Sequence, residues 1–271
     1  MRISYATESA PGHVNEDYAL CGNDWAAVLD GATAFPGVES GCVHDVPWLV
    51  RHLAAGVSRR MLLDSMTLPD VLAGAIEETR EAHGAACDLA NPDSPSSTIS
   101  IVRVCGATAE YLTLADSPIV IRGEDQALTP IIDDRLAHLP GGRPYSRELV
   151  RSLRNQPGGF WVASTSAEAA YRAVTGSIPF GPGAAIGIFT DGASRLVEFY
   201  GYEWEHVFSV METTGPSGVI ELVRAAEREK PLRDSKQHDD ATAVLVASGV
   251  AVRPERTSMH RPANWRDLVA M

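Results

Sequence analysis

A chain of 271 residues, 45% hydrophobic and 21% charged, has the composition of an ordinary globular protein and the length for one large domain or two small ones. Its formal net charge of −12 excludes a general nucleic-acid binder, which needs a basic footprint. No apolar run approaches the ~20 residues of a membrane span, and the N-terminus lacks the apolar core of a secretory signal, so a cytoplasmic protein off the membrane is expected. Cys21, Cys42, Cys87 and Cys105 are widely separated and form no CxxC. They read as reduced core thiols, without zinc-site spacing.

In chain order, residues 3–7 read as a strand. Residues 14–33 (VNEDYALCGNDWAAVLDGAT) then read as a hairpin turning near Gly22-Asn23-Asp24. Apolar residues at helical spacing predict helices over 44–64 and 68–89, with Pro47 and Pro69 allowed in their first turns. The period then changes, and residues 97–104, 109–115, 118–122 and 126–132 predict a four-stranded antiparallel meander. A helix is expected over 146–153, a strand over 158–162 and a helix near 167–174. An apolar strand over 184–190 ends in Asp191-Gly192. Helices over 203–211 and 217–228 precede a last strand over 241–247. No linker composition divides this order, so one α+β domain is expected over 1–250. The tail over 251–271 either wraps that domain or is disordered.

Several acids fall at strand ends beside turn residues. Glu16 and Asp17 open the hairpin, Asp30-Gly31 closes it, and Asp191-Gly192 and Asp239-Asp240 flank later strands. Clustered carboxylates repel and raise one another's pKa unless a cation lies between them, and hard divalent ions want several oxygen ligands. Glycine after Asp30 and Asp191 lets the backbone approach closely and offers its carbonyl as a further donor.

These residues resemble the type 2C metal-dependent serine/threonine protein phosphatases, in particular their bacterial members. Asn15-Glu16-Asp17, Asp30-Gly31, Ser96-Ser97-Thr98, Ala115-Asp116-Ser117, Thr190-Asp191-Gly192 and Asp239-Asp240-Ala241-Thr242 fall in the family's order over residues 3–247. The resemblance implies a four-layer αββα sandwich of two antiparallel sheets flanked by helix pairs. It also implies two ions, Mg²⁺ or Mn²⁺, held by Glu16, Asp30, the Gly31 carbonyl, Asp191 and Asp239. Asp30 would bridge them, and Asp17 would hold metal-bound water. A hydroxide bridging the ions would attack phosphorus in line, with phosphorylated protein as substrate and a kinase as implied partner.

The chain departs from the family at three places. Gly12, beside His13, stands where a phosphate-clamping arginine is usual, and no other side chain offers the same fork. Asp30-Gly31 continues into Ala32-Thr33-Ala34-Phe35, leaving His13, His44 and His238 as candidate proton donors. Asp116 retains a third-metal position whose second acid is replaced by Arg195, so two metals are expected. Arg195 either pairs structurally with Asp116 or contacts the substrate phosphate in place of the missing arginine.

There is no phosphate loop, HExxH or G-x-S-x-G, and Gly181-Pro182-Gly183 precedes a strand instead of following one. The rivals to a protein phosphatase are a small-molecule phosphomonoesterase on the same scaffold and a catalytically weak regulatory module. The loops over 32–41 and 133–159 are the natural places to select targets.

Overall fold

The computed structural model describes residues 1–32, 37–62, 66–142, 144–232 and 236–249. Short apolar runs between turn residues make ten strands: β1 (Arg2–Glu8), β2 (Tyr18–Cys21), β3 (Trp25–Gly31), β4 (Ser97–Cys105), β5 (Thr108–Leu114), β6 (Ile119–Arg122), β7 (Leu128–Ile131), β8 (Val174–Pro179), β9 (Ala185–Phe189) and β10 (Ala241–Ala247). They form two antiparallel five-stranded sheets, ordered β1-β10-β9-β6-β7 and β2-β3-β4-β5-β8.

Alternation in β3 shows how the layers are specified. Ala26 and Val28 face the other sheet and pack with Val102, Ile119, Ile188 and Val244. Trp25, Ala27 and Leu29 face outward, onto α1 (Val46–Met61) and α2 (Leu68–Ala82). Because helices cover that outer face, both sets of side chains are buried, and the strand reads as one apolar run. The second sheet is covered by α4 (Asp191–Glu198), α5 (Trp204–Thr214) and α6 (Pro216–Glu229), packed through Phe189, Phe208 and Val223. The result is the expected αββα sandwich. α1 begins at Asp45, whose carboxylate accepts the Trp48 N–H at 2.8 Å, and α2 begins at Thr67 with Pro69 in its first turn.

The four-strand meander is not found. β4 and β5 pair in one sheet, whereas β6 and β7 pair in the other, because the chain crosses between sheets over 115–118. Alternation fixes which side of a strand is buried, not which sheet it joins. Residues 158–162 form no strand and make only isolated bridges nearby, Arg154 to Phe160 and Ser97 to Ala163. The helix read near 167–174 is a 3-10 turn over Ala167–Arg172, followed by β8. Residues 146–153 do form a helix, α3 (Arg147–Leu153), capped by Ser146. The cysteines are not core residues: Cys21 and Cys105 are exposed, and Cys42 and Cys87 are half-buried. The tail over 251–271 lies outside the described residues, as do 33–36 and 143 of the loops expected to select targets.

Candidate metal centre and active site

The hairpin brings the start of β2 and the end of β3 to one edge of their sheet, with Tyr18 opposite Leu29. Asp30 sits opposite Thr98, and its carbonyl accepts the Ser97 hydroxyl at 3.0 Å. The Gly31 N–H donates to the Glu16 carbonyl at 3.2 Å. A Cβ on Gly31 would lie 2.4 Å from Val46 Cγ1 and 2.8 Å from that same carbonyl, so the close approach requires glycine.

The opposite sheet delivers its acids to the same edge. β9 and β10 are antiparallel neighbours, so the residues after β9 and before β10 share one end. Asp191 is the first residue of α4, a helix hidden in the sequence because Asp-Gly after an apolar strand reads as a turn. The two sheets are tied together beneath the cluster. Thr190 Oγ1 donates to Asp17 Oδ2 at 2.8 Å and accepts the Thr242 N–H at 2.9 Å. Asp240 accepts the backbone N–H of Ala10 at 2.7 Å and that of Glu16 at 2.6 Å.

The electrostatics are those of acids crowded out of water. Burial, then the charges of Asp191, Asp17, Asp239 and Asp116, holds the Asp30 carboxyl well above the usual carboxylate range. Burial and Asp116 raise Asp191, which accepts a hydrogen bond from Asp30. Asp239 is pushed up to about 6 by burial and Asp191, against an ion pair with Lys236. Asp17 is pushed up to about 8, mainly by burial. Its Oδ1 is buried without a hydrogen-bond partner among the described residues. Buried acids that repel one another, with one carboxylate oxygen unsatisfied, fit a centre built for hard divalent cations. The donors are all oxygens, which suits Mg²⁺ or Mn²⁺.

Glu16, Asp30, Asp116 and Asp191 line a cleft of about 950 Å³, and Asp239 is near enough to raise Asp30. Of the candidate proton donors, His44 lines this cleft. His238 instead contacts Glu227 through Nδ1 at 2.8 Å, and His13 is exposed on a turn whose N–H bonds Ala10. Arg195 is turned away from both roles weighed for it. Its Nη1 pairs with Glu227 Oε1 on α6 at 2.6 Å, and its Nη2 donates to the Lys236 carbonyl at 2.7 Å. One turn into α4, its side chain faces the packed helix layer and is 3% exposed.

Other cations do line the cleft: Lys236, Arg151 and Arg154. Arg154 is half-buried and donates to the carbonyls of Pro92 and Ser94, each at 2.7 Å. Arg147 and Arg151, one helical turn apart on α3, share the single carboxylate of Asp93 and leave a net positive charge at the rim. Their i, i+4 spacing was visible in the sequence, but nothing there placed α3 beside the acids.

Two antiparallel sheets between helix layers thus bring a cluster of carboxylates to one shared edge. The family model for protein phosphatase 2C matches residues 8–227, and the chain belongs to that family. No curated protein matches it in sequence. Among solved structures it is similar to PppA of Pseudomonas aeruginosa, a regulatory component of T6SS. That match has a TM-score of 0.59 at 16% identity and covers 91% of this chain and 96% of PppA. It is similar to the catalytic domain of the serine/threonine phosphatase PstP in complex with two manganese ions (TM-score 0.56, 16% identity, 90% and 96% covered). It also resembles the Ser-Thr phosphatase MsPP of Mycobacterium smegmatis in complex with cacodylate (TM-score 0.55, 19% identity, 92% and 99% covered). At these identities the matches establish the fold. Among the described residues no helix is long and apolar enough to cross a membrane.

Proposed function

We propose that this protein hydrolyses phosphoserine and phosphothreonine on proteins, using two Mg²⁺ or Mn²⁺ ions. Family and fold support a metal-dependent phosphatase. The observation that carries the finer reading is the convergence of Glu16, Asp30, Asp191 and Asp239 from both sheets, with Asp30 held far above its ordinary pKa. In this reading those four side chains and the Gly31 carbonyl hold the ions, and Asp116 marks a vestigial third position. The ions, when bound, lower the pKa of water and offset charge on the phosphoryl oxygens.

The chain's own residues do the positioning. Asp240 fixes the backbone at Glu16, the Ser97 hydroxyl fixes the Asp30 carbonyl, and Thr190 orients Asp17 beneath the cluster. Arg151 lines the same cleft and is the cation available to the phosphate or its flanking residues. A protein substrate is favoured by the size of the cleft and by its partly exposed apolar lining at Val150, which gives room for the residues beside a phosphorylated side chain. Its natural partner is a kinase that supplies the phosphorylated form.

The test is phosphate release from a phosphothreonine peptide with Mn²⁺ and with EDTA. It is compared with sugar and nucleotide phosphates, and repeated in Asp30→Asn and Asp239→Asn. Release that needs the metal, prefers the peptide and is lost in both variants is expected. Preference for the small phosphates would assign the enzyme to phosphomonoesterases, as the absence of an arginine at Gly12 favours. No metal-dependent release from any ester would leave a binding module.

A further inference from the structure

On the rim of the cleft, between β3 and α1, Cys42 Sγ lies 3.1 Å from Cys87 Sγ. His44 Nδ1 lies 3.7 Å from the first sulfur and 3.4 Å from the second. We propose that Cys42, His44 and Cys87 form a zinc site, separate from the carboxylate centre, that fastens together two loops bordering the active-site cleft. The three donor atoms all fall within 4.8 Å of one another, as ligands of a single ion must.

Two thiols and an imidazole are borderline-soft donors, matched to Zn²⁺ and poorly matched to Mg²⁺ or Mn²⁺. With Zn–S distances of about 2.3 Å, tetrahedral sulfurs stand roughly 3.7 Å apart, so the pair has to open by only about half an ångström. Burial and the Cys87 sulfur push the Cys42 thiol up to about 11 in the metal-free chain, opposed by the His44 backbone N–H, which donates to Cys42 Sγ at 3.4 Å; zinc binding would displace the thiol proton. The His44 ring is oriented by stacking on Trp48 at 3.8 Å and by the edge of His83 at 5.3 Å. Three protein donors leave the fourth tetrahedral position to water.

The surroundings are built to bring these loops together. Asp88 N–H donates to the Gly41 carbonyl at 2.7 Å, and Asn91 Nδ2 to the Glu39 carbonyl at 3.3 Å. One loop leads from His44 into the cap of α1, and the other continues into Asp93 and Ser94 of the cleft wall. A bound zinc would stiffen that wall. Cys42-x-His44 is too short a motif to read alone, and its third ligand lies 43 residues beyond His44.

The experiment is a cobalt(II) titration of the reduced full-length chain, followed by thiolate-to-cobalt charge-transfer and tetrahedral d–d absorption. One such cobalt per chain is expected, displaced by zinc and lost in Cys42→Ser and in Cys87→Ser. The bands should persist in Asp30→Asn, so the result does not depend on the phosphatase reading. Where a serine variant fails to fold, alkylation of the wild-type chain decides. Zinc should slow iodoacetamide labelling of Cys42 and Cys87 at least tenfold, while exposed Cys21 and Cys105 serve as internal controls. A cobalt spectrum with oxygen ligands only would overturn the proposal, as would labelling of Cys42 and Cys87 that ignores zinc or their closure to a disulfide in its presence.

Discussion

Asp240 Oδ2 accepts the backbone N–H of Glu16 at 2.6 Å across 224 residues of chain, while its Oδ1 takes the N–H of Ala10. This one side chain sets where the first acid of the cluster stands relative to the last strand. Both oxygens accept, so Asp240→Asn turns an amide donor toward a backbone donor. The expected cost is about 2 kcal/mol of stability, with Mn²⁺ affinity reduced roughly tenfold. Thermal melts and isothermal titration of Mn²⁺ check both, and an Asn variant with wild-type Mn²⁺ affinity would contradict the role.

Stability of the metal-free protein should fall as pH rises. Asp17 and Asp239 have folded-state values raised to about 8 and about 6 from 3.8, so the folded state holds more protons than the unfolded chain between those limits. Their contribution is fully present below about pH 4 and is lost as pH climbs through 6 to 8. Cations reverse the trend, because they bind the deprotonated acids. Melts in EDTA and in Mn²⁺ from pH 5 to 8 should therefore diverge, with the gap widest at pH 8. Parallel curves would mean that the carboxylates do not bind the ion.

The sequence exposed the acids because each sits beside a turn at the end of an apolar strand, as Leu29-Asp30-Gly31 does. The αββα layering was implied by the resemblance to the type 2C phosphatases, and its physical basis lies in the structure, where β3 and β10 are buried on both faces. The sequence misplaced β6 and β7 because a crossover at Ala115 leaves the alternation intact. It missed α4 because the residues that start this helix are also turn formers. Long-range partners were invisible: nothing near Arg195 pointed to Glu227, 32 residues on, or near Cys42 to Cys87.

Arg195 should matter for stability and not for substrate. It pairs with Glu227 where the two side chains are 3% and 0% exposed, so Arg195→Ala strips a buried carboxylate of one partner. Such losses run to about 3–5 kcal/mol, and the lower end applies because Arg224 and His238 still contact Glu227. The melting temperature should drop, whereas KM for a phosphomonoester stays within about twofold. A large rise in KM with an unchanged melt would restore Arg195 as the phosphate contact.

Arg151 is the opposite case. It lines the cleft, and Asp93, which it contacts, keeps Arg147 at 2.8 Å when Arg151 is removed. No buried charge is stranded, so Arg151→Ala should leave the melt almost unchanged. A charge-assisted hydrogen bond to phosphate is worth about 1.5–3 kcal/mol, and a partly exposed guanidinium delivers the lower end, or roughly a tenfold rise in KM. Because Arg151 acts on binding and not on the cleavage step, kcat should hold, and Arg151→Lys should recover part of the loss. A fall in kcat at constant KM, or an unchanged KM for both the peptide and p-nitrophenyl phosphate, would remove Arg151 from substrate recognition.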